Sequence, residues 1–354
     1  MIPALLRLFR QLIYSLFVIF FIFIRVSVTN EKPTVNFTIS VDWEGATLTN
    51  PDLEAMRRFR NKNPDIPLVH FLNAAYFTQD GARADEIKKQ IQSVLRPGDE
   101  LGLHLHGWQK LFTQAGVKFK SSPNFLKNKT YSFSSIIGEE GHDVAISAYK
   151  TDELRKVIRY SINQLEANGF TGIRSFRAGG WLASPNVLEA LAREGILIDS
   201  SALPVSLVEQ SLSDHPLHAM LSKIWPDTTS TSQPYLIQTK GGKIQEYPNN
   251  AGMADYVNSA QFMKVLQDNL TLARQNPSQP VYVHYGFHEE SAALHLPTVS
   301  QTIQDLKKSA KHGEFLLRPI TLIDSSINAP LKDLRSESLS ENLLDRCVRL
   351  FSGK

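Results

Sequence analysis

Two spacings of apolar residues alternate along most of this chain. Short apolar runs of strand length are followed by stretches in which apolar residues recur at helical spacing. The runs Thr34–Val41, Pro67–Asn73, Glu100–Leu105, Ile173–Arg177, Gly195–Asp199, Lys243–Tyr247, Pro280–Tyr285 and Phe315–Ile320 predict strands. Helical spacing predicts helices over Asp80–Leu95, Asp152–Asn168, Pro185–Arg193, Asn258–Gln275 and Val299–Lys311. Arg96-Pro97-Gly98 stops the first helix, and Thr151 and Gly169 are placed to cap and close the second. Such alternation implies parallel strands wrapped by helices, an α/β fold. About eight strands over roughly 300 residues suit a closed or nearly closed barrel better than an open sheet.

Two long segments interrupt this pattern, one from Gln109 to about Lys150 and one from about Leu203 to Gln238. Each follows the C-terminal end of a strand, where a barrel carries its functional loops. At the N-terminus an unbroken apolar run, Leu12–Ile24, follows Arg7 and Arg10 and stops at Arg25, with no small-residue cleavage site behind it. Residues 1–30 are therefore expected to be a signal anchor, or a signal peptide if cleaved. The rest of the chain then lies outside the cytoplasm. Residues 31–330 form the expected barrel, and residues 331–354 a charged tail with Leu339, Leu343, Leu344 and Val348 at helical spacing.

Composition narrows the chemistry. The chain has 354 residues, 42% of them hydrophobic, and a formal net charge of +3, which is no footprint of a nucleic-acid binder. Cys347 is the only cysteine, so neither an intramolecular disulfide nor a thiolate zinc site is available. A bound metal has to be held by His, Asp or Glu.

Those residue types collect at five expected strand ends. Asp42 and Glu44 stand at i and i+2 where the first strand ends, and so project from one face of an extended chain. His104 and His106 have the same spacing at the end of Glu100–Leu105. Arg177 ends another strand, next to Gly179, Gly180 and Trp181, and Asp199 precedes Ser200 and Ser201 at the end of the next. His284 lies in the late strand, followed by Tyr285, Gly286, Phe287 and His288. In a barrel these ends converge on one mouth. Asp42, Glu44, His104 and His106 could hold one divalent ion there, with Arg177, Asp199 and His284 around it, a composition suited to metal-assisted hydrolysis. Paired carboxylates alone would also serve a glycoside hydrolase, but leave the histidines without a use.

The order of acid pair, histidine pair, arginine strand, Asp-Ser strand and late histidine resembles the polysaccharide deacetylase family (NodB-like, carbohydrate esterase family 4) over roughly residues 34–325. The resemblance implies a distorted (β/α)7–8 TIM-like barrel. It also implies removal of N- or O-linked acetyl groups from a polysaccharide or cell-envelope glycan. One divalent ion, zinc by preference with cobalt or nickel as substitutes, would polarise the acetyl carbonyl and bind the attacking water. On this pattern Asp42 is the base and Glu44 a metal ligand, with the two roles open to exchange. Family members place two acids side by side, whereas Trp43 intervenes here. They carry a second metal histidine four residues after the first, where this chain has Trp108, so His106 is expected to take that place. Arg177 would orient Asp42, Asp199 would support the arginine, and His284, or His288 in its stead, would be the general acid. Trp108, Trp181 and Tyr285 are candidate stacking surfaces for a sugar ring. The same departures allow an alternative, a barrel that binds glycan or an assembly partner without catalysis.

Overall fold

The structure, a computed structural model, describes residues 32–45, 47–126, 139–276, 278–324 and 331–332. The expected membrane segment and nearly all of the C-terminal tail lie outside these residues. Among the described residues no helix is long and apolar enough to cross a membrane.

Ten strands share one curled sheet. They are β1 (Thr34–Asp42), β2 (Leu68–Asn73), β3 (Glu100–Leu105), β4 (Ser175–Ala178), β5 (Ile198–Asp199), β6 (Tyr235–Thr239), β7 (Gly242–Glu246), β8 (Val281–His288), β9 (Leu316–Pro319) and β10 (Leu331–Lys332). Their order across the sheet is β10-β6-β7-β5-β4-β3-β2-β1-β8, with β9 on β1. All neighbours are parallel except the β6–β7 hairpin. The central strands are buried along nearly their whole length, as a sheet covered on both faces requires.

The helices are α1 (Asn50–Lys62), α2 (Ala84–Gln92), α3 (Gln109–Gln114), α4 (Thr151–Ala167), α5 (Pro185–Arg193), α6 (Glu209–Leu212), α7 (Pro216–Ile224), α8 (Ser259–Gln275) and α9 (Ala292–Lys311). Helix α1 has no counterpart in the sequence reading. It is rich in charge, but Leu53, Met56 and Phe59 recur every third position and are buried, and Thr49 accepts from the Asp52 amide as its cap. Thr151 begins α4 rather than capping it; the Glu153 carboxylate returns to the Lys150 amide at 2.8 Å.

A closed ring of parallel strands is not what forms. Beyond β8 an irregular segment takes the place of a closing strand. Ala251 donates to the His284 carbonyl (3.0 Å), Gly286 to Gly252 (3.0 Å) and Ala254 to Gly286 (2.8 Å). Side-chain amides satisfy the remaining edge: Gln233 and Asn250 bond the backbone of Tyr282 and His284. This meets the need of every buried backbone group for a partner without a regular ladder. At the lower end β1 pairs β9 through Thr34–Phe37, while its upper half, Ile39–Asp42, pairs β2. Buried Glu100 closes this end by accepting from Ser175 Oγ, Leu322 N and Ile323 N. The upper, C-terminal strand ends are left to form the site. The tail departs from the expected helix at its start, where Leu331–Lys332 pairs β6 as a strand.

Candidate metal centre

Strand β2 holds the acid-bearing corner in place. The Trp43 amide continues the ladder to the Phe71 carbonyl at 3.0 Å. The buried Trp43 indole donates to His70 Nδ1 at 3.1 Å, and Asn73 Nδ2 donates to the carbonyls of Glu44 and Gly45. With Trp43 turned into the core, Asp42 and Glu44 share the other side, as the i, i+2 spacing predicts.

His104 and His106 leave β3 on one side, with ring centroids 4.9 Å apart. His104 Nδ1 lies 2.9 Å from the Arg177 carbonyl, and His106 Nδ1 lies 2.6 Å from the His142 carbonyl. A carbonyl can only accept, so both Nδ1 atoms carry a proton, and in the neutral form of each ring Nε2 presents the lone pair. Those Nε2 atoms are 3.1 Å apart. Glu44 Oε1 lies 2.7 Å from His106 Nε2 and 3.1 Å from His142 Nε2. Atoms of this kind gathered so closely need a proton or a metal ion between them. Glu44, His106 and His142 converge closely enough to hold one metal ion, and His104 adjoins them. Imidazole nitrogens with one carboxylate suit a borderline divalent ion. Carbonyl acceptors behind each ring are the outer support such ligands use.

His142 is a candidate ligand that the sequence reading missed. It lies in the long segment after α3, which is tied down beside β3. Gln109 N donates to Glu140 O at 2.9 Å and Lys110 N to Glu139 Oε1 at 2.8 Å. The close passage needs two glycines: a Cβ on Gly141, whose φ is +98°, would lie 2.2 Å from the Gly107 carbonyl oxygen. The ring of His142 packs against Trp108, centroids 5.2 Å apart. The only local signal was a histidine between a glycine and an acid, Gly141-His142-Asp143, too short to single out.

Charge is balanced tightly around the cluster. Buried Arg177 donates through Nη1 to Asp42 Oδ1 (2.9 Å) and Ser40 Oγ (2.7 Å), and through Nε and Nη2 to Ser200 O and Oγ (2.8 and 2.9 Å). Burial raises the Asp42 pKa, and Arg177 opposes that rise without cancelling it. Burial alone would raise Glu44 as well, but His106 and His288 hold it well below the usual carboxylate range. Burial, reinforced by His106, pushes His104 and His142 down towards neutral imidazole.

Several expected positions fall elsewhere. His284 pairs in register with Thr38, four residues below Asp42, and is fully buried. Its Nε2 contacts Ser40 Oγ and Arg177 Nη2, and its Nδ1 contacts Tyr282 and Ser200, so it braces Arg177 from beneath. The late histidine at the level of the acids is His288, the register partner of Asp42. Its Nε2 is 3.2 Å from Glu44 Oε2, and its Nδ1 is 3.0 Å from Asp255 Oδ2. Burial opposes a charge on His288, but Asp255 and Glu44 outweigh it and raise its pKa well above the usual value. Asp199 does not hold the arginine: Ser200 does, while buried Asp199 bonds Ser201 and Glu246. Trp108 and Tyr285 are fully buried and offer no face to a sugar; the Tyr285 hydroxyl donates to the Val257 carbonyl. Trp181 does stand beside the site, edge-on to His288 at 6.4 Å.

No protein-family model matches the chain, and no curated protein matches it in sequence. Similar solved structures include polysaccharide deacetylases and family 4 carbohydrate esterases, at low identity. A Mycobacterium smegmatis protein assigned as a polysaccharide deacetylase is 13% identical, with a TM-score of 0.42 over 84% of this chain and 96% of its own. A 4-alpha-glucanotransferase from Thermococcus litoralis is 11% identical, with a TM-score of 0.47 over 91% of this chain and 46% of its own. A family 4 carbohydrate esterase from Streptomyces lividans is 9% identical, with a TM-score of 0.39 over 83% and 97% of the two chains. Likeness at this level leaves the chemistry to be read from the site.

Proposed function

We propose that this protein is a metal-dependent hydrolase that removes acetyl groups, N- or O-linked, from a polysaccharide or cell-envelope glycan. The observation that carries the reading is the convergence of the Nε2 atoms of His104, His106 and His142 with Glu44 beside the buried Asp42–Arg177 pair. His104, His106, His142 and Glu44 would hold the ion, which when bound polarises the acetyl carbonyl. Zinc suits this donor set, with cobalt and nickel as substitutes.

The chain's own residues supply the proton transfers. Asp42, its carboxylate fixed by Arg177, takes a proton from the attacking water. His288, oriented by Asp255, stands on the neighbouring strand and returns a proton to the leaving nitrogen or oxygen. The acid role therefore passes from His284 to His288. Residues 1–30 would hold the catalytic body at the outer face of the membrane, a reading that rests on the apolar run Leu12–Ile24 and its flanking arginines.

Metal content and acetate release test the proposal together. Full-length protein reconstituted with zinc should bind close to one ion and release acetate from an acetylated glycan. His106→Ala and His142→Ala should lose both properties. A wild-type chain that holds no metal after reconstitution would refute the proposal and leave the non-catalytic glycan-binding barrel as the better account.

A further inference from the structure

The lower end of the sheet, where the parallel strands begin, gathers most of the exposed apolar surface. Five large apolar side chains are exposed among the described residues, and four of them lie at this end. Leu197, just before β5, is 51% exposed, and Leu272, in the last turn of α8, 38%. Leu316, which begins β9, is 55% exposed, and Ile323, beside the Glu100 closure, 46%. Exposed cations share the same end: Lys62, Arg174, Lys240, Lys243, Arg274 and Lys311. Helix dipoles account for Lys62, Arg274 and Lys311, which stand in the last turns of α1, α8 and α9. They do not account for Arg174 at the entry to β4, or for Lys240 and Lys243 at the turn that leads into β7. The exposed acids facing them are fewer: Glu166, Glu314, Asp324 and Asp65, which Lys307 already pairs at 2.8 Å.

The chain also enters β1 here. Lys32 is exposed, and the Pro33 carbonyl accepts from the Leu316 amide at 2.8 Å. Nine residues separate Ile24, the last of the apolar run, from Thr34. Fully extended they span at most about 30 Å, so a bilayer that holds the run is within reach of the lower end. The histidine cluster lies beyond the opposite strand ends, and β1 alone, nine residues, is roughly 30 Å long.

We infer that the lower end is a membrane-contact face: its cations rest on anionic lipid headgroups, its exposed leucines and isoleucine enter the headgroup layer, and the site opens away from the bilayer. This rests on the anchor named in the proposed function and adds the orientation of the body upon it. Cations are drawn to an anionic surface over about one Debye length, roughly 10 Å at 0.1 M salt, and apolar side chains at headgroup level add burial. A tether alone would leave the body free to turn. Contacts spread across the sheet, from Leu197 at β5 to Leu316 on β9, hold it in one orientation.

Quenching from the lipid side tests this on the full-length chain. In a Cys347→Ser background, Leu197→Cys and Gln109→Cys each accept one bimane label. The first is at the lower end, four strands from the tether at β1, and the second is at the upper end, just past His106. Both replaced side chains are exposed, and Lys243→Cys supplies a second lower position. The protein is reconstituted in vesicles of phosphatidylcholine and phosphatidylglycerol containing a lipid with a nitroxide on its headgroup. The label at position 197 or 243 should be quenched at least about threefold more than that at 109, and replacing phosphatidylglycerol by phosphatidylcholine should remove most of the difference. Equal quenching at the two ends, or a difference that survives without anionic lipid, overturns the inference and leaves the anchor reading intact. A full-length chain that does not float with the vesicles overturns both.

Discussion

His106 and His142 stack face to face, their ring centroids 4.3 Å apart and their planes 7° from parallel, although 36 positions separate them in the chain. The contact joins a strand residue to a residue of the long segment that crosses above it. His106 also donates to the His142 carbonyl, so each residue fixes the other.

His142→Ala should therefore lower zinc affinity by more than about 100-fold, beyond the 10–100-fold typical of groups that only support ligands. Competition against a chromogenic chelator measures it. Trp108→Phe, which keeps an aromatic ring against His142, should change affinity far less. Equal losses in the two variants would mean that His142 is packing rather than ligand.

Gly141→Ala should act on the same segment through the backbone. Its φ of +98° and the 2.2 Å approach of its Cβ to the Gly107 carbonyl force that loop to shift. A loss of about 1–3 kcal/mol is expected in urea titration, together with weaker metal binding. Gly116→Ala is the control: it also has positive φ, +72°, but nothing within 4 Å, so it should cost stability without touching metal affinity.

Arg177→Met should destabilise the protein by about 3–5 kcal/mol, the cost of leaving a buried charge, Asp42, without its partner. Adding Asp42→Asn should recover part of that loss, since the orphaned charge is then gone, and the two effects should be clearly non-additive. Urea midpoints of the four proteins in the cycle supply the comparison. Strict additivity would show that the pair does not act as a unit.

Glu289 gives the fold a specific pH response. Burial and then the nearby Asp52 charge raise its pKa from 4.5 to about 8, against a smaller lowering by Tyr76. The folded state thus keeps a proton that the unfolded state loses near 4.5. Its contribution to stability is complete below that value, declines as pH rises, and is gone above about 8. At 1.36 kcal/mol per pKa unit the swing is of order several kcal/mol. Glu289→Gln should flatten the fall in unfolding free energy between pH 5 and 8 and be the more stable protein at pH 8. An unchanged pH slope in the variant would exclude Glu289 as its source.

Much of the site could be read from local spacing. Asp42 with Glu44, and His104 with His106, sit at period two in strands, and that period fixes which side they face whatever surrounds them. Arg177 was legible because an arginine at a strand end beside small residues can orient a carboxylate, and its Nη1 lies 2.9 Å from Asp42 Oδ1. His284 and His288 could not be told apart in this way, since both stand on the same side of one strand. Only the register with β1, which pairs His288 with Asp42 and His284 with Thr38, separates a site residue from a buried brace.

What the sequence by itself determined about this protein is periodic: the parallel βα order, the strands that carry chemistry and the faces their side chains take. These follow from backbone geometry over a few residues. What only the tertiary structure decided depends on contacts between residues far apart in the chain. The recruitment of His142, the placing of Trp108 and Tyr285 in the core and the irregular closure beyond β8 all belong here. No local period encodes them, because each is settled by which distant surfaces pack together and which buried polar groups then need partners.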